Sequence, residues 1–511
     1  EVMVSWTEGL DLLSGTWVQQ EALVGGTEGL DLQLGTLVQQ EALVGGTEGL
    51  DLQLGTLVQQ EALVGGTEGL DLQLGTLGQQ EALRAVPYES PGQVHSSYSS
   101  VVFCAMRLRL AGAVLLAAAA YYVYLPLPSG VSEPWKLMLL DALFRSFMRA
   151  SDAAHTLGVC HRVHLLNRVV SWVEVIEARS SPTVNVTDST LGGVPTRVFQ
   201  PNGESRLRRG VIYFHGGGWA LASGKMRSYD LLCRKMAEDL DAIIMSVDYR
   251  LAPEAVFPDQ YHDAVAASRV FLSGELLQQY GIDPERLCVS GDSAGGNLAA
   301  AVVQELSLDK SLQAKFKAQA LIYPVLQALD FHTPSYQQNQ AVPILYRPYM
   351  ARFWLQYLGA DSSLEPVLLA NNHSALDERA ISAATRSKLN WTALLPAERK
   401  KNFQPVVKEK GSPGVVDAVP GLIDVRAAPL LAEQEVLGKT PKTYVMTCEF
   451  DVLRDDGLMY SRRLRDAGVE VTSDHYEDGF HGCMVFANLP MMSSVGQRSM
   501  RNYIRWLDQN L

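Results

Sequence analysis

The sequence predicts an α/β fold, a mostly parallel sheet covered by helices on both faces. Three observations carry this. From about residue 184 onward, short β-branched or apolar runs alternate with amphipathic helical stretches, the pattern of a parallel sheet with crossover helices. A serine stands in Gly291-Asp292-Ser293-Ala294-Gly295, between a predicted strand and a predicted helix. Three consecutive glycines, Gly216–Gly218, directly follow an earlier predicted strand.

Taken in order, the chain begins with repeats. Leu23–Ala42 reads LVGGTEGLDLQLGTLVQQEA, recurs unchanged at Leu43–Ala62, and returns at Leu63–Ala82 with Gly78 for valine. Met3–Ala22 is a looser copy. The spacing is similar to that of leucine-rich repeats. Each near-identical copy nevertheless places four glycines where a packed strand or helix would lose stability. No fold is assigned to residues 1–105, repeats and polar linker together, and disorder is expected there. The repeats also hold the charge imbalance. The chain carries a net charge of -13. Glu1 to Ala82 hold thirteen acids and no Lys or Arg, which leaves 43 acids and 43 bases in the remainder. A neutral body gives no electrostatic reason to expect nucleic acid as a partner.

Met106 reads as a more natural start. Leu110–Leu125 lacks charge and proline, and Arg107 and Arg109 stand on its N-terminal side. Residues 106–128 are therefore expected to form a signal anchor, slightly short for a comfortable span. The basic flank would keep the N-terminus cytosolic and the body lumenal, with Tyr121, Tyr122 and Tyr124 at the interface. Three sequons, at Asn185, Asn372 and Asn390, are compatible with N-glycosylation on that side. The six cysteines show neither CxxC nor metal-ligand spacing and read as buried thiols, with one disulfide possible in an oxidising compartment.

Residues 129–511 form the predicted catalytic body. Strands are expected at Val211–Phe214, Ala242–Val247, Leu287–Ser290, Ala318–Tyr323, Thr443–Thr447 and Val469–Tyr476. Helices are expected at Ser228–Asp239, Tyr261–Phe271, Gly296–Leu306 and Gly457–Ala467. Residues 327–427 interrupt the alternation with proline and polar residues. Together with about 129–180 they are expected to cap the sheet's C-terminal edge.

The chemistry follows from spacing. A serine on a sharp strand-to-helix turn needs small neighbours, because a side chain two residues away would strike the adjacent strand or helix. In YFHGGGWA, Tyr213–Ala220, the glycines let backbone N–H groups face a bound carbonyl. Gly216, Gly217 and the N–H of Ala294 are expected to form an oxyanion hole, with His215 and Gly218 completing the motif. Serine needs a base and a group that orients the base. His481, in YEDGFHGCMVF, follows the last strand and is the expected base. Asp451, just past the strand in YVMTCEFDVLRDDG, is the expected acid. Glu449, Asp455 and Asp456 are rivals, while His475 lies within a strand and reads as structural. Asp292, beside the serine, points away and supports the loop; DYRLAPE, Asp248–Glu254, braces the floor.

HGGGW, DYRLAPE, GDSAGGN and the later Asp…His pair resemble the hormone-sensitive-lipase branch of the α/β-hydrolases. AAYYVYLPLPSGVSEPWKLMLLDALFR, LIYPVLQALDFHTPSYQQN and LNWTALLPA resemble its neutral cholesterol ester hydrolase and arylacetamide deacetylase subgroup. The resemblance covers about residues 106–511 and leaves the repeats outside. It implies an α/β-hydrolase fold with a helical cap and an N-terminal membrane anchor. It further implies a single-pass endoplasmic reticulum protein with a lumenal hydrolase domain, acting on cholesteryl esters and acetylated ether-linked glycerolipids as its lipid substrates. The family's nucleophile falls on Ser293, its acid on Asp451, its base on His481 and its HGGG motif on His215–Gly218. Neither metal nor cofactor is expected. An esterase or amidase of small acylated compounds is the nearest alternative. A non-catalytic binding protein on the same scaffold is disfavoured by the presence of His481.

Overall fold

The computed structural model describes residues 17–18, 22–25, 31–38, 42–45, 51–58, 62–65, 71–77, 91–203, 207–488 and 491–511. Two units separate at Leu116/Ala117, inside helix α1 (Pro91–Val123). Within the repeats, the described residues form strands, which the sequence reading did not assign. Trp17–Val18, Asp31–Val38, Asp51–Val58 and Asp71–Leu77 make one parallel sheet; Ala22–Gly25, Ala42–Gly45 and Ala62–Gly65 make another. Asp31 pairs with Asp51 and Asp51 with Asp71, so each residue stacks on its own copy. Identical copies make that register self-consistent despite the glycines. Among the described residues, no helix is long and apolar enough to cross a membrane.

The second unit contains an eight-stranded sheet. Its strands are β1 (Val184–Leu191), β2 (Val194–Pro201), β3 (Arg208–Phe214), β4 (Ala242–Val247), β5 (Ile282–Asp292), β6 (Ala318–Ile322), β7 (Lys442–Phe450) and β8 (Val471–Phe480). The order is β8-β7-β6-β5-β3-β4-β2-β1. β3 to β8 pair in parallel, and β2 and β1 add an antiparallel edge. The β1–β2 hairpin turns on Gly192 and Gly193, with φ of 58° and 84°, the left-handed pair that a two-residue hairpin loop requires.

Alternation along the strands sets the layers. Val211 and Tyr213 of β3 face one core with Met236, Leu240, Tyr503 and Leu507. They pack under α4 (Arg227–Leu240) and the C-terminal helix Ser494–Asn510. Ile212 and Phe214 face the other core with Leu298, Val302 and Phe271. Here α5 (Asp259–Phe271) and α7 (Ala294–Leu308) cover the sheet, with α6 (Gly274–Tyr280) between them in sequence. The period of two therefore yields a sheet buried on both faces.

Two segments approach the C-terminal ends of the strands. One is α2 (Pro134–Thr156) followed by α3 (Arg162–Glu174). The other is the insertion over 327–427, a run of short helices that includes α8 (Pro334–Gln338) and α9 (Arg347–Tyr357). α9 is held by aromatic contact: Tyr357 stacks on Trp219 at 4.1 Å, and Trp354 packs on Trp219 at 4.8 Å.

Candidate active site

Ser293 sits at the end of β5 with φ 54° and ψ −118°, immediately before α7. A non-glycine residue in that conformation stores roughly 1–3 kcal/mol of strain. The surroundings hold it there: its N–H donates to Ile322 O at 2.9 Å, and its carbonyl accepts from Asn297 N at 3.0 Å. A Cβ on Gly295 would overlap the Phe214 carbonyl, and one on Gly291 would overlap the Gly295 backbone. The glycines two residues either side are thus required by close backbone approach, as the motif predicts.

The three residues expected to cooperate lie together. Ser293 Oγ is 3.0 Å from His481 Nε2, and His481 Nδ1 is 2.8 Å from Asp451 Oδ2. All three are buried. They come from three separate strand ends: β5 for Ser293, the turn after β7 for Asp451, and the residue after β8 for His481. Asp451 is itself fixed, its Oδ1 accepting from Leu453 N at 2.8 Å while its backbone carbonyl accepts from Asn339 Nδ2 at 3.0 Å.

The rival acids have other partners. Glu449 receives Arg454 Nη1 at 2.9 Å and also pairs with Arg399. Although burial raises its pKa, the His475 hydrogen bond and the two arginines pull it down to about 2. Asp455 pairs with Arg454 Nε at 2.9 Å and accepts from Ser335 N. Asp456 accepts from Leu326 N and Gln327 Nε2. His475 bridges Thr447 and Glu449, the structural place expected of it.

Burial pushes the Asp456 carboxyl from 3.8 up to about 8. A raised acid is ionised more readily in the unfolded chain, so the fold takes up a proton there. Its contribution to stability is full below about pH 4 and is lost as pH climbs toward about 8. Asp456→Asn should therefore flatten the decline of unfolding free energy across that window, as measured by urea titrations at several pH values.

One of the expected oxyanion donors, Gly216, is already engaged. The Gly216 N–H donates to Asp292 Oδ1 and to the Tyr229 hydroxyl oxygen, each at 2.9 Å. It is therefore not available to a substrate. The N–H groups of Gly217, Gly218 and Ala294 have no partner among the described residues. Gly217 and Gly218 have φ of 107° and 61°, which turns the loop sharply after β3. Gly218, read only as part of the motif, joins Gly217 and Ala294 as a candidate donor. The signal that could have found this is Asp292 itself, an acid in the elbow that must spend its lone pairs on nearby donors.

Asp292 does point away from Ser293 and tie the loops. Its carboxylate accepts from Tyr213 Oη at 3.0 Å, Tyr229 Oη at 3.2 Å and Gly216 N. Burial pushes its pKa up to about 6. His215 lies flat against Tyr249, ring centroids 4.4 Å apart, and Tyr249 Oη donates to His215 O at 2.7 Å. Asp248 accepts from Gly224 N, and Arg250 pairs with Asp263. DYRLAPE thus braces the glycine loop from below.

Of the sequon residues, Asn185 and Asn390 are exposed and Asn372 is half-buried. Thr392 Oγ1 donates to Asn390 Oδ1 at 2.6 Å. Cys160, Cys233, Cys288, Cys448 and Cys483 are free thiols, with Cys448 and Cys483 sulfurs 3.7 Å apart. The Cys104 side chain lies outside the described residues.

A nucleophile, a histidine, an oriented carboxylate and unpaired N–H donors suit acyl transfer. A family model for the alpha/beta hydrolase fold matches residues 211–416 and 415–485. Neutral cholesterol ester hydrolase 1 of Mus musculus is 55% identical over 402 residues, covering 78% of this chain and 98% of that protein. The chain belongs to the α/β-hydrolase family. Arylacetamide deacetylase of Oryctolagus cuniculus is 44% identical over 393 residues, covering 77% of this chain and 96% of that protein. A thermostable esterase from Pseudomonas putida shares the fold, with a TM-score of 0.53 at 24% identity over 75% of this chain and 99% of that one. As an α/β-hydrolase with this constellation, the chain is a carboxylic ester hydrolase.

Proposed function

We propose that Ser293, His481 and Asp451 act as nucleophile, general base and orienting acid in the hydrolysis of lipophilic esters. The observation that carries this is the unbroken relay from Asp451 through His481 to Ser293, at 2.8 Å and 3.0 Å, beside the unpaired N–H groups of Gly217, Gly218 and Ala294. His481 Nε2 takes the proton of Ser293 as its Oγ attacks the ester carbonyl. The three N–H groups stabilise the oxyanion, whose charge develops only in the transition state. His481 then protonates the departing alcohol, leaving an acyl group on Ser293. Water, deprotonated by the same imidazole, attacks that acyl group and frees the acid.

The substrate class rests on kinship. At 55% identity with a neutral cholesterol ester hydrolase, we assign cholesteryl esters as substrates, and the motif resemblance adds acetylated ether glycerolipids. The site is proposed to work at the endoplasmic reticulum membrane, with residues 106–128 as a single-pass type II anchor and the hydrolase domain lumenal. Supporting this are the uncharged Leu110–Leu125, the arginines preceding it, and the exposed Asn185 and Asn390, which with Asn372 are the proposed glycosylation sites.

The 44% identity to an arylacetamide deacetylase favours a second reading, cleavage of small acetylated compounds. Hydrolysis rates of membranes carrying the protein decide between them. Cleavage of cholesteryl oleate or an acetylated ether lipid at rates well above those of membranes carrying Ser293→Ala supports the lipid reading. Activity confined to small acetyl esters and amides overturns it.

A further inference from the structure

We infer that the outer face of α2 and α3 docks on a phospholipid bilayer surface, in addition to any anchoring by residues 106–128. The inner face of α2 is ordinary core, with Leu137, Ala142 and Met148 buried; α3 likewise buries Val163 and Leu166. The outer face should then be polar, and it is not. Trp135, Leu139, Leu143 and Phe147 recur every four residues, which lines them up along one side of α2. Trp135 is 60% exposed and Leu143 55%. On α3, Trp172 is 88% exposed beside exposed Val173, and Leu157 and Val159 are exposed in the turn between the helices. Water-facing tryptophans and leucines gathered on two successive helices mark an interaction surface rather than scattered exposure.

Charge and continuity commit the face to lipid. Residues 134–174 hold five Lys and Arg against three Asp and Glu, a small positive excess in a body that is neutral overall. Arg149 and Arg168 are exposed on these helices, where cations suit phosphate headgroups while tryptophans suit the interface. The face also begins where the uncharged segment ends. Tyr122 Oη lies 3.0 Å from Ser146 Oγ, and Arg145 Nη2 donates to Tyr122 O at 3.0 Å. The Arg145 and Arg149 guanidiniums lie over the Tyr122 ring at 4.8 and 5.2 Å. Tyr122, near the C-terminal end of the uncharged segment, is thus fixed against α2.

Behind the face lies a small void of about 20 Å³ bordered by Met148, Val163, Leu166 and Phe353, with Arg162 and Arg352 also on its wall. Phe353 occupies the space a side chain on Gly218 would need. The ester rates in the test below, unlike the docking itself, rest on the proposed ester hydrolase reading.

The test uses the full chain in phosphatidylcholine vesicles, plain or with brominated acyl chains. The emission assigned to Trp172, taken as wild type minus Trp172→Phe, is expected to be blue-shifted and quenched at least twofold by brominated lipid. No quenching overturns the docking. In the same vesicles, Leu139→Glu/Leu143→Glu/Trp172→Glu is expected to cleave an embedded long-chain ester about tenfold more slowly than wild type. Its rate on water-soluble p-nitrophenyl acetate should stay within about twofold. Equal loss on both esters, or disulfide cross-linking of two copies through Leu143→Cys in place of quenching, contradicts a lipid-facing surface. Should wild type cleave neither ester, the hydrolase reading fails while the quenching still decides the docking.

Discussion

Ser293→Ala should lower kcat/KM for ester hydrolysis roughly 10⁴- to 10⁶-fold while leaving the fold intact. The size of the effect follows from the mechanism: without Oγ there is no acyl-enzyme, and only binding and the Gly217, Gly218 and Ala294 donors remain. The stability change should be small. Alanine carries the same Cβ at φ 54°, so the strain is unchanged, and the lost hydroxyl pairs with His481 alone. Initial-rate kinetics with a short-chain ester, run beside thermal melts by circular dichroism, check both halves. More than a tenth of wild-type activity in the variant would remove Ser293 from the chemistry.

Asp451→Asn should cost about 10³- to 10⁴-fold in kcat with little change in KM. Leu453 N donates to Asp451 Oδ1, and that bond fixes which side-chain atom faces His481. In the asparagine variant the carbonyl oxygen keeps the bond to Leu453, which turns the amide NH₂ toward His481 Nδ1. Nδ1 must then accept, so the ring proton moves to Nε2, facing Ser293, and the base cannot take the serine proton. Because the residues act as a unit, Ser293→Ala/Asp451→Asn should be no slower than Ser293→Ala alone. Independent, multiplying losses in the double variant would show that Asp451 does not work through His481.

The body of the molecule was legible because its signals are local. Each predicted strand lies inside or within two residues of an observed one; β5, expected over Leu287–Ser290, spans Ile282–Asp292. The sequence order of Ser293, Asp451 and His481 suffices to nominate them, because the end of each parallel strand reaches the same edge of the sheet.

Features fixed by distant partners were not legible. Gly216 looks like a free donor until Tyr229 and Asp292, 13 and 76 residues away, are seen to hold its N–H. Phe353 fills the space over Gly218 from an insertion in which no catalytic motif falls. The exposed stripe on α2 was hidden for a different reason: Leu139 and Leu143 look the same in sequence whether they face a core or a membrane. In the repeats, local glycine content argued against structure, whereas the described strands pair in the register that sequence identity itself supplies.

The most direct test of the central claim is to treat the wild-type chain with a fluorophosphonate and map the adduct by peptide mass spectrometry. A single stoichiometric adduct is expected on Ser293, within the tryptic peptide containing Gly291–Gly295, with strongly slowed labelling in a His481→Ala variant. An adduct on another serine, or equal labelling rates with and without His481, would contradict it.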